Sequence, residues 1–201
     1  MQLDHLAVAG KTLDEAVSHV EAALGLAMQP GGAHPTFGTY NRLMGLGAGL
    51  YLEAIAIDPE APAPDRPRWF DLDRLNGYAH LRNWIARVDD LDAALARHRG
   101  AGAPLVLARG DLRWRMAVPG DGVLPFDNRF PALIEWQAGG HPADRLPDAG
   151  ARLQRLIVTH PEAGALRASL SDLDDPRIVF EPGPPALRAE IGTPHGPRVL
   201  Q

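Results

Sequence analysis

The 201-residue chain contains no cysteine. Disulfides, thiolate metal sites and a cysteine nucleophile are thereby excluded. Lysine is almost missing as well: Lys11 is the sole example, so the positive charge is nearly all arginine, scattered without forming a basic stripe. Nothing points to a nucleic-acid or membrane-surface partner. No apolar run is long enough to span a bilayer, and the opening "MQLDHLAVAG" lacks the basic start of a signal peptide, so a cytoplasmic location is expected. No serine sits between glycines as a nucleophile elbow would require, and no glycine-rich phosphate loop follows a strand, so no nucleotide cofactor is indicated. The cluster "GLGAGL" reads as a turn between hairpin strands.

What is present has the balance of an ordinary folded protein: 45% apolar, 22% charged, formal net charge −5. Its punctuation repeats. "LDHLAVA" reads as a strand and "TLDEAVSHVEAALG" as a helix, with Thr12 as N-cap, Glu15 completing a capping box and Gly25 ending it. Leu13, Ala16, Val17, Val20 and Leu24 form an apolar stripe at helical spacing. Three strands follow, "LAMQP", "GTYNRLMGL" and "GLYLEAIAI". The order then recurs: strand "HLRNWIARV", helix "DDLDAALARHRG" with Asp90 as N-cap and Gly100 as the residue beyond its C-cap, and strands "PLVLARG", "DLRWRMAVPG" and "PALIEWQAG". Laying "TLDEAV" on "DLDAAL" places His5 over Asn83, and Glu53 falls against Glu135. Such a repeat implies duplication.

A third, shorter copy begins at "RLQRLIVTHPEAGALRASL", with Thr159 or His160 as cap; Arg155 takes the place of His5 and nothing matches Glu53. The expected organisation is a first βαβββ module over 1–60, a Pro- and Asp-rich linker over 61–78, a second module over 79–142, a linker over 143–152 and a truncated third module over 153–201. The fold class is α+β.

One residue disturbs this pattern. Glu53 sits in "GLYLEAIAID", a strand otherwise apolar, where a carboxylate is costly without a partner or a proton. A duplicated β-α-β-β-β unit with His on its first strand and Glu on its last resembles the vicinal oxygen chelate superfamily, and more narrowly the glyoxalase-like domain proteins. The stretches that carry the resemblance are "LDHLAVA", "HPTFGTYNRLMGLGAGLYLEAIA", "RPRWFDLD", "WIARVDDLDAALARHRGAGA", "LRWRMAVPGDGVLPF" and "LIEW". It implies paired modules forming a curved, cup-shaped mixed sheet with helices outside and the site within. It also implies a divalent metal (Zn, Ni, Mn or Fe(II)) held by first- and last-strand residues, here His5, Glu53, Asn83 and Glu135, with Asn83 the weakest donor.

Strand alternation puts Tyr51, Glu53 and Ile55 on one face, and Leu133, Glu135 and Gln137 on one face opposite Ile134 and Trp136. Glu53 and Glu135 are the candidate catalytic carboxylates. Arg113 and Arg115 alternate with Trp114 and Met116; they would fork onto a substrate carboxylate, neutralise the two glutamates, or lie at a solvent edge. His34 and Asn41 in "HPTFGTYN" and Trp69 in the first linker complete the candidate binding residues. The remaining histidines, His141 among them, are assigned no chemistry.

Three functions fit. One is a metal-dependent lyase or isomerase acting on a vicinal-oxygen substrate, ahead of dioxygenase chemistry. Another is a metal-free protein that binds or sequesters a small molecule. The third is a structural protein with a vestigial cup, its extra module capping an edge or building a homodimer.

Overall fold

The computed structural model describes residues 1–47 and 49–201. Local chemistry sets the first elements. Strand β1 (Gln2–Ala9) leads to helix α1 (Leu13–Leu24), where the Thr12 hydroxyl accepts from the Glu15 amide at 3.2 Å and Gly25, at φ 70°, bonds back to the Glu21 carbonyl. Such an N-cap contributes about 1 kcal/mol. Leu13, Ala16, Val20 and Leu24 are buried. Strands β2 (Gln29–His34), β3 (Thr39–Gly45) and β4 (Tyr51–Ile57) complete the first unit; Ala48, within the "GLGAGL" cluster, lies outside the described residues.

The second unit runs β5 (His80–Arg87), α2 (Leu91–Arg97), β6 (Ala103–Arg109), β7 (Leu112–Val118), a single turn α3 (Pro125–Asn128) and β8 (Ala132–Ala138). Asp90 caps α2 as expected, accepting from the Ala93 amide. Gly100 does not end it. A 3₁₀ turn over Arg99–Ala101 follows the helix, and Gly102 carries the positive φ instead. A Cβ on Gly102 would lie 2.1 Å from the Val118 carbonyl carbon, so only glycine fits there.

All eight strands form one sheet, ordered β2-β3-β4-β1-β5-β8-β7-β6. Strands β1 and β5 run antiparallel at its centre, each flanked by a parallel partner from its own unit, β4 or β8. The sheet curls until its edges meet, and Arg109 of β6 reaches Asn41 and His34 of the first unit. The convex face carries Leu6, Val8, Leu52, Ala54, Trp84 and Leu133 against both helices, while Ala7, Ala9, Ile55, Ile85, Ala132 and Ile134 face inward.

The C-terminal unit repeats the element order as β9 (Arg152–Thr159), α4 (Ala163–Ser169), β10 (Ile178–Glu181), β11 (Ala186–Thr193) and β12 (Gly196–Leu200). It joins them differently. The strand after its helix, β10, pairs parallel with β9, giving the order β10-β9-β11-β12, whereas in the first two units that strand lies at the far edge. This small sheet packs Leu156, Val158, Leu187 and Ala189 into the core that covers the convex face.

Candidate functional site

The cup is mostly filled. The linker between the units folds inward over a 3₁₀ stretch, Trp69–Arg74, and buries Trp69, Phe70 and Leu72 against the concave face. Phe70 and Asp71 both adopt left-handed backbone angles, φ 58° and 55°. Each such residue costs about 1–2 kcal/mol. Arg82 holds the turn closed, donating to the Phe70 carbonyl at 3.1 Å and to Asp71 at 2.7 Å, and Arg74 binds the same carboxylate.

What remains is a cavity of about 30 Å³ lined by His5, His34, Asn41, Tyr51, Glu53 and Arg109, with walls of Trp69, Phe70, Trp114, Met116, Ile134 and Trp136. At the usual ~10–15 Å³ per water, it has room for about two waters or a short ligand.

His5 and Glu53 face this cavity from adjacent parallel strands, His5 Nε2 standing 3.8 Å from Glu53 Oε2. A bulge makes the arrangement. Between Leu3 and His5 the pairing with β5 slips, so Asp4 is the extra residue and its carboxylate turns towards its neighbour. Asp4 Oδ1 lies 2.6 Å from His5 Nδ1, while its Oδ2 accepts from the Trp136 indole and from His141 Nε2, each at 3.0 Å. Burial alone would raise the Asp4 pKa, but the hydrogen bonds from His141 and His5 and the electrostatic attraction that goes with them hold it well below the usual carboxylate range. An ionised carboxylate only accepts, so Nδ1 of His5 carries hydrogen and Nε2 is the atom free to exchange a proton. Tyr51 stacks on the His5 ring at 4.3 Å, and its hydroxyl is held neutral by burial and the nearby Asp4 and Glu53 charges.

Asn41 fixes the other side. Its amide donates to Glu53 Oε1 at 2.5 Å and accepts from the Gly32 amide and from Arg109 Nη1, at 2.8 and 3.1 Å. His34 Nε2 faces two donors, Asn41 and Arg109, so it accepts, and Nδ1 bonds the Thr39 hydroxyl. Burial first, then the Arg109 charge and His5, push the His34 pKa down to about 3; the ring is neutral.

Thus His5, Glu53, His34, Asn41 and Trp69 come together as the sequence suggests. The second unit differs from expectation. Glu135 lies on the convex side, capping α2 by accepting from the Leu91 amide at 2.8 Å. Arg115 pairs there with Asp92 and Glu135, and Arg113 bonds the carbonyls of Gly110 and Leu112. Ile134, Trp136, Trp114 and Met116 face the cavity in their stead. The repeat itself gives the reason. The Gly10 amide bonds the Ile55 carbonyl and the Val88 amide bonds the Ile134 carbonyl, equivalent links that set Ile55 over Ile134 and hence Glu53 over Ala132. Glu135 is out of phase, and in a strand an odd shift reverses the face.

The divalent ion that the resemblance implies therefore finds an incomplete donor set. Ala132 offers no donor, and Asn83 is fully buried without lining the cavity, both atoms of its amide unpartnered among the described residues. Among the described residues no three His, Asp or Glu side chains converge as a metal site requires. A carboxylate behind an imidazole orients a metal ligand and a proton carrier equally well, and here the donor count does not fit the metal.

Sequence reasoning missed Asp4, Tyr51, Arg109 and His141. The signal for Asp4 was its place beside His5, masked by alternation until the bulge is known; Arg109 and His141 arrive from loops or edges that only the curled sheet brings close. No helix among the described residues is long and apolar enough to cross a membrane.

No curated protein matches the chain in sequence. Among solved structures, a hypothetical protein from Staphylococcus aureus is 13% identical, with TM-score 0.61 over 94% of this chain and 80% of that one. A methylmalonyl-CoA epimerase from Mycobacterium tuberculosis is 20% identical over 69% of this chain and 88% of its own, with TM-score 0.42. The first shows a shared fold, and the second is too distant to carry a functional argument. The family model described as a glyoxalase-like domain matches residues 3–173, and with the paired βαβββ units already described, the chain belongs to that family.

Proposed function

We propose that the protein is an isomerase-type proton-transfer enzyme for a short oxygenated molecule, working through His5 and Glu53. The supporting observation is the pair itself: an imidazole nitrogen and a carboxylate oxygen 3.8 Å apart at one small cavity, the imidazole backed by Asp4. One member of the pair removes a proton from a hydroxyl-bearing carbon beside a carbonyl while the other protonates the carbonyl oxygen. A proton then returns to the former carbonyl carbon as the original hydroxyl gives up its own. One C–H and one O–H bond break, one of each forms, and no co-reactant is consumed. Asp4 supports the imidazolium whenever His5 holds the extra proton, and Asn41 keeps Glu53 aimed at the cavity. General acid–base catalysis of this kind contributes roughly 10²–10⁴-fold.

The test is hydrogen–deuterium exchange into short 2-hydroxy and 2-oxo compounds in D2O, followed by proton NMR. Exchange should persist in chelator and fall about 100-fold or more in Glu53→Gln and His5→Gln. A rate that appears only after adding Zn, Ni, Mn or Fe(II), or variants as fast as wild type, would defeat the reading.

A further inference from the structure

Arg109 is a cation at the cavity that no carboxylate pairs with among the described residues. The polar contacts recorded for it among the described residues are two neutral acceptors, Asn41 Oδ1 at 3.1 Å and His34 Nε2 at 3.3 Å, both through Nη1. Its Nε and Nη2 hydrogens remain, the edge that takes a carboxylate side-on. The neighbouring carboxylate, Glu53, is held off by Asn41, which takes the arginine on its oxygen and the glutamate on its nitrogen. The anchor and the base are thus kept apart by a single amide. His34 lends no charge, because burial and Arg109 itself keep it neutral.

Two further features show a built position. A Cβ on Gly32 would lie 2.8 Å from Arg109 Cδ, so a bare backbone in β2 is what lets the side chain cross between the sheet's edges. Trp69 lines the same cavity, is 5% exposed, and its indole N–H has no acceptor among the described residues. A buried donor left unpaired is penalised, and an acceptor on a ligand would relieve that penalty.

We propose that Arg109 is the specificity-determining anchor for the carboxylate of a short-chain acid, with the Trp69 N–H as a second donor. The inference rests on the proton-transfer reading for what happens next: an acid gripped at Arg109 presents the carbons beyond its carboxylate, with the C–H beside the oxo or hydroxyl group, to His5 and Glu53. A single guanidinium in so small a cavity suits a planar carboxylate better than a phosphate, which usually draws several cations.

The experiment measures binding rather than turnover. Pyruvate and lactate are titrated calorimetrically into wild type, with pyruvamide, lactamide and inorganic phosphate as the other arms. The acids should bind about tenfold or more tightly than their amides and than phosphate, the increment expected of a charge-assisted pair. Arg109→Gln should abolish that preference, Arg109→Lys should keep part of it, and Glu53→Gln should retain it in full. Equal binding of acids and amides, tighter binding of phosphate, an undiminished preference in Arg109→Gln, or no saturable binding of either acid would each overturn the proposal. Should the glutamine variant not fold, the lysine variant decides: a preference unchanged from wild type counts against the forked grip. Acid preference without proton exchange would end the catalytic reading alone, and exchange without acid preference would end this one alone.

Discussion

Asp4 and His5, consecutive in the chain, are hydrogen-bonded side chain to side chain at 2.6 Å. In a regular strand they would point to opposite faces; the bulge at Asp4 makes the contact, and the repeat carries a counterpart. Pairing slips again at Arg82, the residue before Asn83, and there the side chain holds the Phe70–Asp71 turn instead. The two units share the bulge but differ in what its side chain holds. Asp4→Asn should cost roughly 2–4 kcal/mol at neutral pH, since one amide cannot accept from Trp136, His141 and His5 together. Urea denaturation of both proteins measures it. The sign with pH follows from a depressed folded pKa: the Asp4 contribution is complete above the ordinary aspartate value and is lost as pH falls through it towards the folded value. The gap between wild type and Asp4→Asn should therefore narrow below about pH 4. A constant gap would show that Asp4 acts through packing alone.

His34 gives stability a second, milder acid dependence. Its folded pKa of about 3 lies below the unfolded value of about 6.5, so between these values the unfolded chain binds the extra proton. Stability is complete above pH 6.5 and falls by up to about 1.4 kcal/mol per pH unit as the solution is acidified. In His34→Gln that slope should shrink by one group's share. Denaturation midpoints at pH 7, 6 and 5 provide the comparison, and parallel curves for the two proteins would refute it.

The elements and their duplication were legible because they rest on local chemistry: Thr12 and Asp90 cap their helices, and Leu13 and Leu91 begin equivalent apolar stripes. The first unit's site was legible too, since Tyr51, Glu53 and Ile55 alternate cleanly with Leu52, Ala54 and Ala56. The second unit's was not. Matching Glu53 to Glu135 by residue type ignored phase, and phase is set by hydrogen bonds between strands distant in sequence. The C-terminal strands were readable as strands, but their pairing order depends on contacts that no single segment encodes. Arg109 was hidden for the same reason, its role arising where the first and last strands of the large sheet meet.

The placement of Glu135 is itself testable. Its carboxylate receives the Leu91 amide at the start of α2, where the helix dipole also favours a negative charge. Glu135→Ala should lower stability by about 1 kcal/mol and leave proton exchange at the wild-type rate. The two readouts separate the alternatives: exchange lost with the fold intact would return Glu135 to the site.

Asn83 is the strongest anomaly in the core. It pairs with Ala7 in the centre of the sheet, is fully buried, and neither atom of its amide has a partner among the described residues. An unpaired buried amide costs about 1–3 kcal/mol, whereas leucine has the same branched shape, in a somewhat larger side chain, and nothing to desolvate. Asn83→Leu should therefore match or exceed wild-type stability, by up to about 2 kcal/mol. This outcome would mark position 83 as the repeat's counterpart of His5 with its chemistry lost. A clear loss of stability would instead mean that the amide is satisfied in solution, for example by an ordered water, and that the second unit retains a polar role at its centre. Thermal melts of the two proteins, with Asn83→Ala as the control for volume, distinguish the cases. The alanine variant leaves a cavity in either event, so the stability of the leucine variant is what reports on the amide.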